Sequence, residues 1–63
     1  LDDSAARAKL MEEAQEVCEA NTAEEVIWES ADVLYFLLVL MTKKGVSLDA
    51  VLRELERRRR LKQ

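Results

Sequence analysis

The chain has 63 residues, 49% of them hydrophobic, with 13 acidic and 10 basic side chains and a net charge of −3. One cysteine and no histidine exclude an internal disulfide and a Cys/His metal site. The longest apolar run, Ala31–Met41 broken only by Asp32, is too short for a bilayer-spanning helix, which takes roughly 20 residues.

No proline, one glycine and an abundance of Ala, Leu, Glu and Arg predict an all-α fold. Three helices are expected, at about 4–20, 23–44 and 48–61. Asp2, Asp3 or Ser4 can cap the first, whose apolar stripe reads Leu10, Met11, Ala14, Val17 and Cys18. The stripe placement makes Cys18 an inert packing residue. Asn21 suits a break, and Thr22-Ala-Glu-Glu25 reads as a capping box opening the second helix. That helix ends at Gly45, with Lys43 and Lys44 at the negative end of its dipole. Ser47 caps the third, which has a Leu48, Val51, Leu52, Leu55 stripe and a tail of four arginines, Arg57–Arg60.

The second helix is apolar almost all round. At 100° per residue, Glu25, Glu29, Asp32, Phe36 and Lys43 share a sector of about 60°, and most other positions from Val26 to Met41 are apolar. A helix of this kind needs cover on most sides, Trp28 and Tyr35 included. A domain this small buries only about 60% of its unfolded surface, so a multi-chain helical bundle is expected, a homodimer or higher homo-oligomer. The whole of 1–63 reads as one domain. It opens on Leu1 rather than Met and so reads as a piece of something longer. Acidic residues near the start do not suit a secretory signal, and with the free thiol this favours the cytoplasm.

Charge is unevenly distributed: residues 1–32 hold ten acidic and two basic side chains, residues 33–63 three and eight. The halves suggest an acidic site and a basic tail. Glu29 and Asp32 are three apart and share a face, as do Glu13 and Glu16 beside Glu12. If the two faces meet, four or five carboxylates converge and require cations; oxygen-only ligands select a hard ion, Mg²⁺ or Mn²⁺. A solvated helix edge accounts for the same pattern, because Glu12 and Glu16 lie nearly opposite the expected apolar stripe. The arginine tail has no interleaved aromatics and follows an acidic half that repels phosphate backbones, which argues against nucleic acid.

"KLMEEAQEVCEA" followed by "EEVIWESADVLYFLLVLMTKKGVSLDAVLRELERR" resembles the phosphoribosyl-ATP pyrophosphohydrolase family of histidine biosynthesis over Lys9–Arg58. Its parts run in order: E-E-x-x-E at Glu12, Glu13 and Glu16, E-x-x-D at Glu29 and Asp32, then "ADVLY", "GVSLDAV" and "ELERR". The two acidic motifs alone are shared with the wider MazG-like, all-α nucleotide pyrophosphohydrolases. The resemblance implies an oligomeric all-α enzyme that cleaves the α–β phosphoanhydride of phosphoribosyl-ATP, giving phosphoribosyl-AMP and pyrophosphate. It implies Mg²⁺ held by Glu12, Glu13, Glu16, Glu29 and Asp32, with Glu13 or Glu16 as proton acceptor. Lys9, Arg57 and Arg58 become candidates for substrate phosphates. For Lys9 a helix-face ion pair to Glu12 or Glu13 is the alternative, and for the arginines a simple fit to the helix dipole and solvent.

Two features depart from the family pattern. Phe36 stands where many members have histidine after the tyrosine, and no Ser-Tyr-Thr-type loop or basic stretch precedes Lys9. The family domain also occurs fused within larger histidine-biosynthesis polypeptides. Two other functions compete: MazG-like house-cleaning of (d)NTPs, and a non-catalytic helical oligomerisation module.

Overall fold

A computed structural model describes residues 1–61. It contains three helices, α1 (Asp3–Glu19), α2 (Ala23–Lys43) and α3 (Leu48–Leu61), each within a residue of the expected bounds. Local chemistry sets these ends. The Asp2 carboxylate accepts from the Ala5 N–H at 2.7 Å, satisfying one of the free donors that open α1. At α2 the capping box is complete: Thr22 Oγ1 accepts from the Glu25 N–H, and Glu25 Oε1 accepts from the Thr22 and Asn21 N–H groups, all at 3.1 Å. The carboxyl end of α2 closes as a Schellman motif. Gly45 N–H donates to Thr42 O at 3.1 Å and Val46 N–H to Met41 O at 2.9 Å. Gly45 takes φ 69° there, a conformation that glycine reaches without a Cβ clash. Ser47 Oγ then accepts from the Ala50 N–H and starts α3.

The short link Ala20–Thr22 folds α2 back along α1 as an antiparallel hairpin. Its far end is tied by Lys44 Nζ to Asp3 Oδ2 at 2.9 Å. Ala6, fully buried, and Met41 are the buried apolar residues; a small side chain at Ala6 lets the helices approach closely.

The inward face of α1 is rotated from the expected stripe. Leu10 and Val17 stay partly covered, but Met11 is 76% exposed and Ala14 and Cys18 are also exposed. Cys18 is therefore not packed inside this chain. Ala6 and Glu13 are the buried residues of α1 instead. The rotation brings a carboxylate to the centre of the helix contact, a position a hydrophobic stripe assigns to leucine.

The third helix barely touches the hairpin. Its stripe residues Leu48, Leu52 and Leu55 are all exposed by half or more. The Cα trace fills 31 × 31 × 14 Å, a slab little thicker than one helix with its side chains, roughly 10–12 Å. A single layer cannot enclose large side chains, and among the described residues none is fully buried. Ile27, Trp28, Leu34, Tyr35 and Leu38 therefore stand exposed along α2. Among the described residues no helix is long and apolar enough to cross a membrane.

Candidate metal centre

Along the hairpin the polar residues face each other as rungs. Glu16 meets Glu29, and three residues down α1 and up α2 Glu13 meets Asp32. Four residues further, Lys9 lies over Phe36. Steps of three and four keep side chains on one face of a helix, and the antiparallel pairing keeps both faces in phase.

One carboxylate oxygen from each of Glu13, Glu16, Glu29 and Asp32 lies within 4.8 Å of the others. That spread is a little wider than the roughly 4 Å separating opposite oxygens around Mg²⁺. Glu13 is 7% exposed, Glu16 and Glu29 are half-buried, and Asp32 is exposed. The Oε2 atoms of Glu13 and Glu29 are buried without a hydrogen-bond partner. Buried polar atoms are nearly always satisfied, so two unpartnered carboxylate oxygens in one cluster fit a site for a cation or a proton.

The electrostatics lead to the same conclusion. Contact with Glu16, then burial and the charges of Glu16 and Asp32, push the Glu13 carboxyl above its usual range, with Lys9 acting the other way. Contact with Glu29 raises Glu16 likewise, helped by burial and the charges of Glu29 and Glu12 and opposed by Glu13. Carboxylates this close hold protons more tightly, because the last ionisation places like charges together. A divalent cation removes that repulsion. The donor set, all oxygen and mostly anionic, fits a hard ion.

The other candidate residues lie elsewhere. Glu12 is exposed and outside the cluster; its Oε2 sits 3.4 Å from Lys9 Nζ. Lys9 also reaches Glu13 Oε1 at 3.5 Å. Arg57 and Arg58 are on α3, where both hold Glu54, at 2.7 and 2.9 Å. Glu25 is used by the α2 cap. Sequence reasoning missed the Lys9–Phe36 contact, 5.6 Å from ammonium to ring centroid, and the Asp3–Lys44 tie. Both join residues far apart in the chain, and spacing within one helix carries no signal for them.

The pattern that defines the phosphoribosyl-ATP pyrophosphohydrolase family matches residues 1–59. The chain is 55% identical over 53 residues to a phosphoribosyl-ATP pyrophosphatase of Pyrobaculum aerophilum, covering 79% of this chain and 56% of that protein. It is 50% identical over 54 residues to the histidine biosynthesis bifunctional protein his7 of Schizosaccharomyces pombe, covering 86% of the chain and 13% of the relative. Against the bifunctional protein HisIE of Pyrococcus furiosus it is 52% identical over 52 residues, 82% of the chain and 25% of the relative. The chain thus spans only part of the length of the relatives it matches. No solved structure matches it. With the E-E-x-x-E and E-x-x-D motifs on facing rungs and the match running almost end to end, the chain belongs to the phosphoribosyl-ATP pyrophosphohydrolase family.

Proposed function

We propose that this chain carries the hydrolytic site for phosphoribosyl-ATP in histidine biosynthesis, releasing phosphoribosyl-AMP and pyrophosphate. One observation carries the reading: four carboxylates of two helices converge, with buried oxygens of Glu13 and Glu29 left unpartnered. The names of the relatives, a phosphoribosyl-ATP pyrophosphatase among them, support the choice of substrate.

Glu13, Glu16, Glu29 and Asp32 are the residues to hold Mg²⁺, with Mn²⁺ also suited. When bound, the ion offsets charge on the triphosphate and on the leaving pyrophosphate. Bare carboxylates would repel so anionic a substrate, which is why the cluster and the substrate need a cation between them. In the reaction, water adds at the α phosphorus, the α–β bridging P–O bond breaks, and pyrophosphate leaves with the bridging oxygen. Glu13 or Glu16, on the facing rungs of the cluster, takes the water's proton. Glu12 is an outer neighbour that adds negative charge beside Lys9.

The assembly we propose is a homo-oligomer. Ile27, Ala31, Leu34 and Leu38 follow the alternating four-three spacing of a helix–helix seam, and all four are exposed in the single chain. Ala14, Val17, Val33 and Leu34 line an apolar groove beside it. A second copy also supplies a route by which Arg57 and Arg58 reach substrate phosphates, since in one chain α3 barely touches the hairpin.

Pyrophosphate release from phosphoribosyl-ATP, compared with a panel of dNTPs, tests the reading. Metal-dependent turnover of phosphoribosyl-ATP that is lost in Glu29→Gln and Asp32→Asn is expected. Preference for a dNTP transfers the site to nucleotide house-cleaning. No turnover and no thermal shift with Mg²⁺ or Mn²⁺ leave a helical assembly module.

A further inference from the structure

The rung beside the carboxylates is occupied by Lys9 and Phe36. The Lys9 ammonium is 5.6 Å from the Phe36 centroid, 3.4 Å from Glu12 Oε2 and 3.5 Å from Glu13 Oε1. Tyr35 packs edge-on against Phe36, with centroids 5.0 Å apart and planes at 82°. A phenyl ring neither ligates a metal nor donates a hydrogen bond. Its face attracts a cation, so Phe36 offers the ammonium a seat at the edge of the seam without competing for the carboxylates. Among the described residues, no other Lys or Arg comes within ion-pair distance of Glu13, Glu16, Glu29 or Asp32.

The two oxygens of Glu13 are used differently. Oε1 faces Lys9, while Oε2 is the buried, unpartnered atom. Holding the first oxygen fixes the rotation of the carboxylate and with it the place of the second.

We propose that Lys9, seated on Phe36, is the resident counter-ion of the carboxylate seam and a positioning residue for Glu13, and that a divalent cation entering the seam displaces it from Glu13. The proposal rests on the divalent-cation reading above. A charge of +2 arriving a few ångströms from the ammonium repels it. The lysine stem is flexible, and Glu12 and Phe36 remain as its partners after release. Lys9 is thus a competitor of the metal, and its departure exposes an amine next to the loaded site.

Two measurements on the full chain test this. The first is Mn²⁺ affinity at fixed neutral pH, by calorimetry and by the electron paramagnetic resonance signal of free Mn²⁺. Lys9→Met is expected to bind Mn²⁺ about three- to tenfold more tightly than the native chain, the scale for removing one partly screened positive charge. Phe36→Leu, which unseats the lysine but keeps its charge, is expected to fall between the two. The second is acetylation of Lys9 in the native chain, read by mass spectrometry against Lys43, with and without Mn²⁺; labelling of Lys9 should rise on metal addition. Native binding that weakens or stays unchanged in Lys9→Met, or labelling indifferent to Mn²⁺, overturns the counter-ion role and leaves the metal reading intact. No Mn²⁺ binding in either chain overturns both.

Discussion

The hairpin and α3 are both rich in charge, yet they use it in opposite ways. Among the described residues, every ion pair of α3 joins residues three or four apart on the same helix: Arg53 to Asp49, Arg57 and Arg58 to Glu54, Arg59 and Arg60 to Glu56. Such pairs need only a helix, and they are exposed and screened. In the hairpin, like charges from two helices are brought together, and Lys9 and the Asp3–Lys44 tie act across or beside that contact. No single helix can produce that arrangement. The difference separates charge that stabilises an element from charge that is held in an unfavourable place by packing, and the second kind marks a site.

The largest effect that breaks this contrast is on the seam. Asp32→Asn or Glu29→Gln should lower pyrophosphate release by at least ~10²-fold and abolish the metal-induced rise in melting temperature. In the absence of metal each variant should melt no lower than the native chain, since each removes one of the repelling charges. Arg53→Gln on α3, which removes one local pair, should leave turnover and melting temperature almost unchanged.

Next comes the uncovered stripe of α3. Leu52→Asp should shift the sedimenting species toward the single chain and reduce helical ellipticity by as much as the 14 residues of α3. An isolated helix of roughly 12–15 residues is marginal in water. The hairpin signal and its metal response should persist; loss of both together would mean that α3 and the seam form one cooperative unit.

Acid titration sharpens the comparison further, because the two regions carry opposite signs. Glu13 and Glu16 have raised affinities for protons in the folded chain. Without metal their contribution is least favourable above the raised values and improves as pH falls toward the ordinary carboxylate range. Stabilisation by Mg²⁺ should shrink over the same interval. Glu54 is lowered to about 2 by Arg57 and Arg58. Its small, screened contribution is present above its unfolded value of 4.5 and is lost as pH falls toward about 2. Circular dichroism and melting with and without Mg²⁺ across this range check both signs.

The smallest expected effect is at the helix starts. Thr22→Ala removes half of a reciprocal cap and should cost about 1 kcal/mol in chemical denaturation. Ser47→Ala, which removes a single bond on α3, should cost less, about 0.5 kcal/mol.

These differences also explain what could be read from the sequence. Helix bounds were legible because Asp2, Thr22, Glu25, Gly45 and Ser47 act on backbone groups a few residues away. The rotation of α1 was not. Hydrophobic periodicity turned Met11 and Cys18 inward and Glu16 outward, whereas the contact with α2 is made around Ala6, Glu13 and Val17. A stripe identifies the face that prefers cover, and α1 has two such faces: one on α2 and one exposed in the single chain. Glu12 belongs to the same acidic motif as Glu13 and Glu16, but motif spacing alone could not show that it points away from α2. Phe36 was visible as a member of the polar sector of α2 and as a departure from the family pattern. Its contact with Lys9 depends on how the two helices are aligned, and no local rule encodes that alignment.

The turn between α1 and α2 therefore acts as a ruler. Ala20 and Thr22 flank Asn21 in ordinary extended conformations, and no residue there needs a positive φ. Most side chains fit that backbone, so substitutions at Asn21 should be tolerated. Changing the number of residues is another matter. One residue more or fewer in so short a link alters where α2 starts against α1, and with it the pairing of Glu16 with Glu29 and of Glu13 with Asp32. Within this hairpin the length of a linker with no chemistry of its own is as strictly constrained as the identity of the acids it aligns.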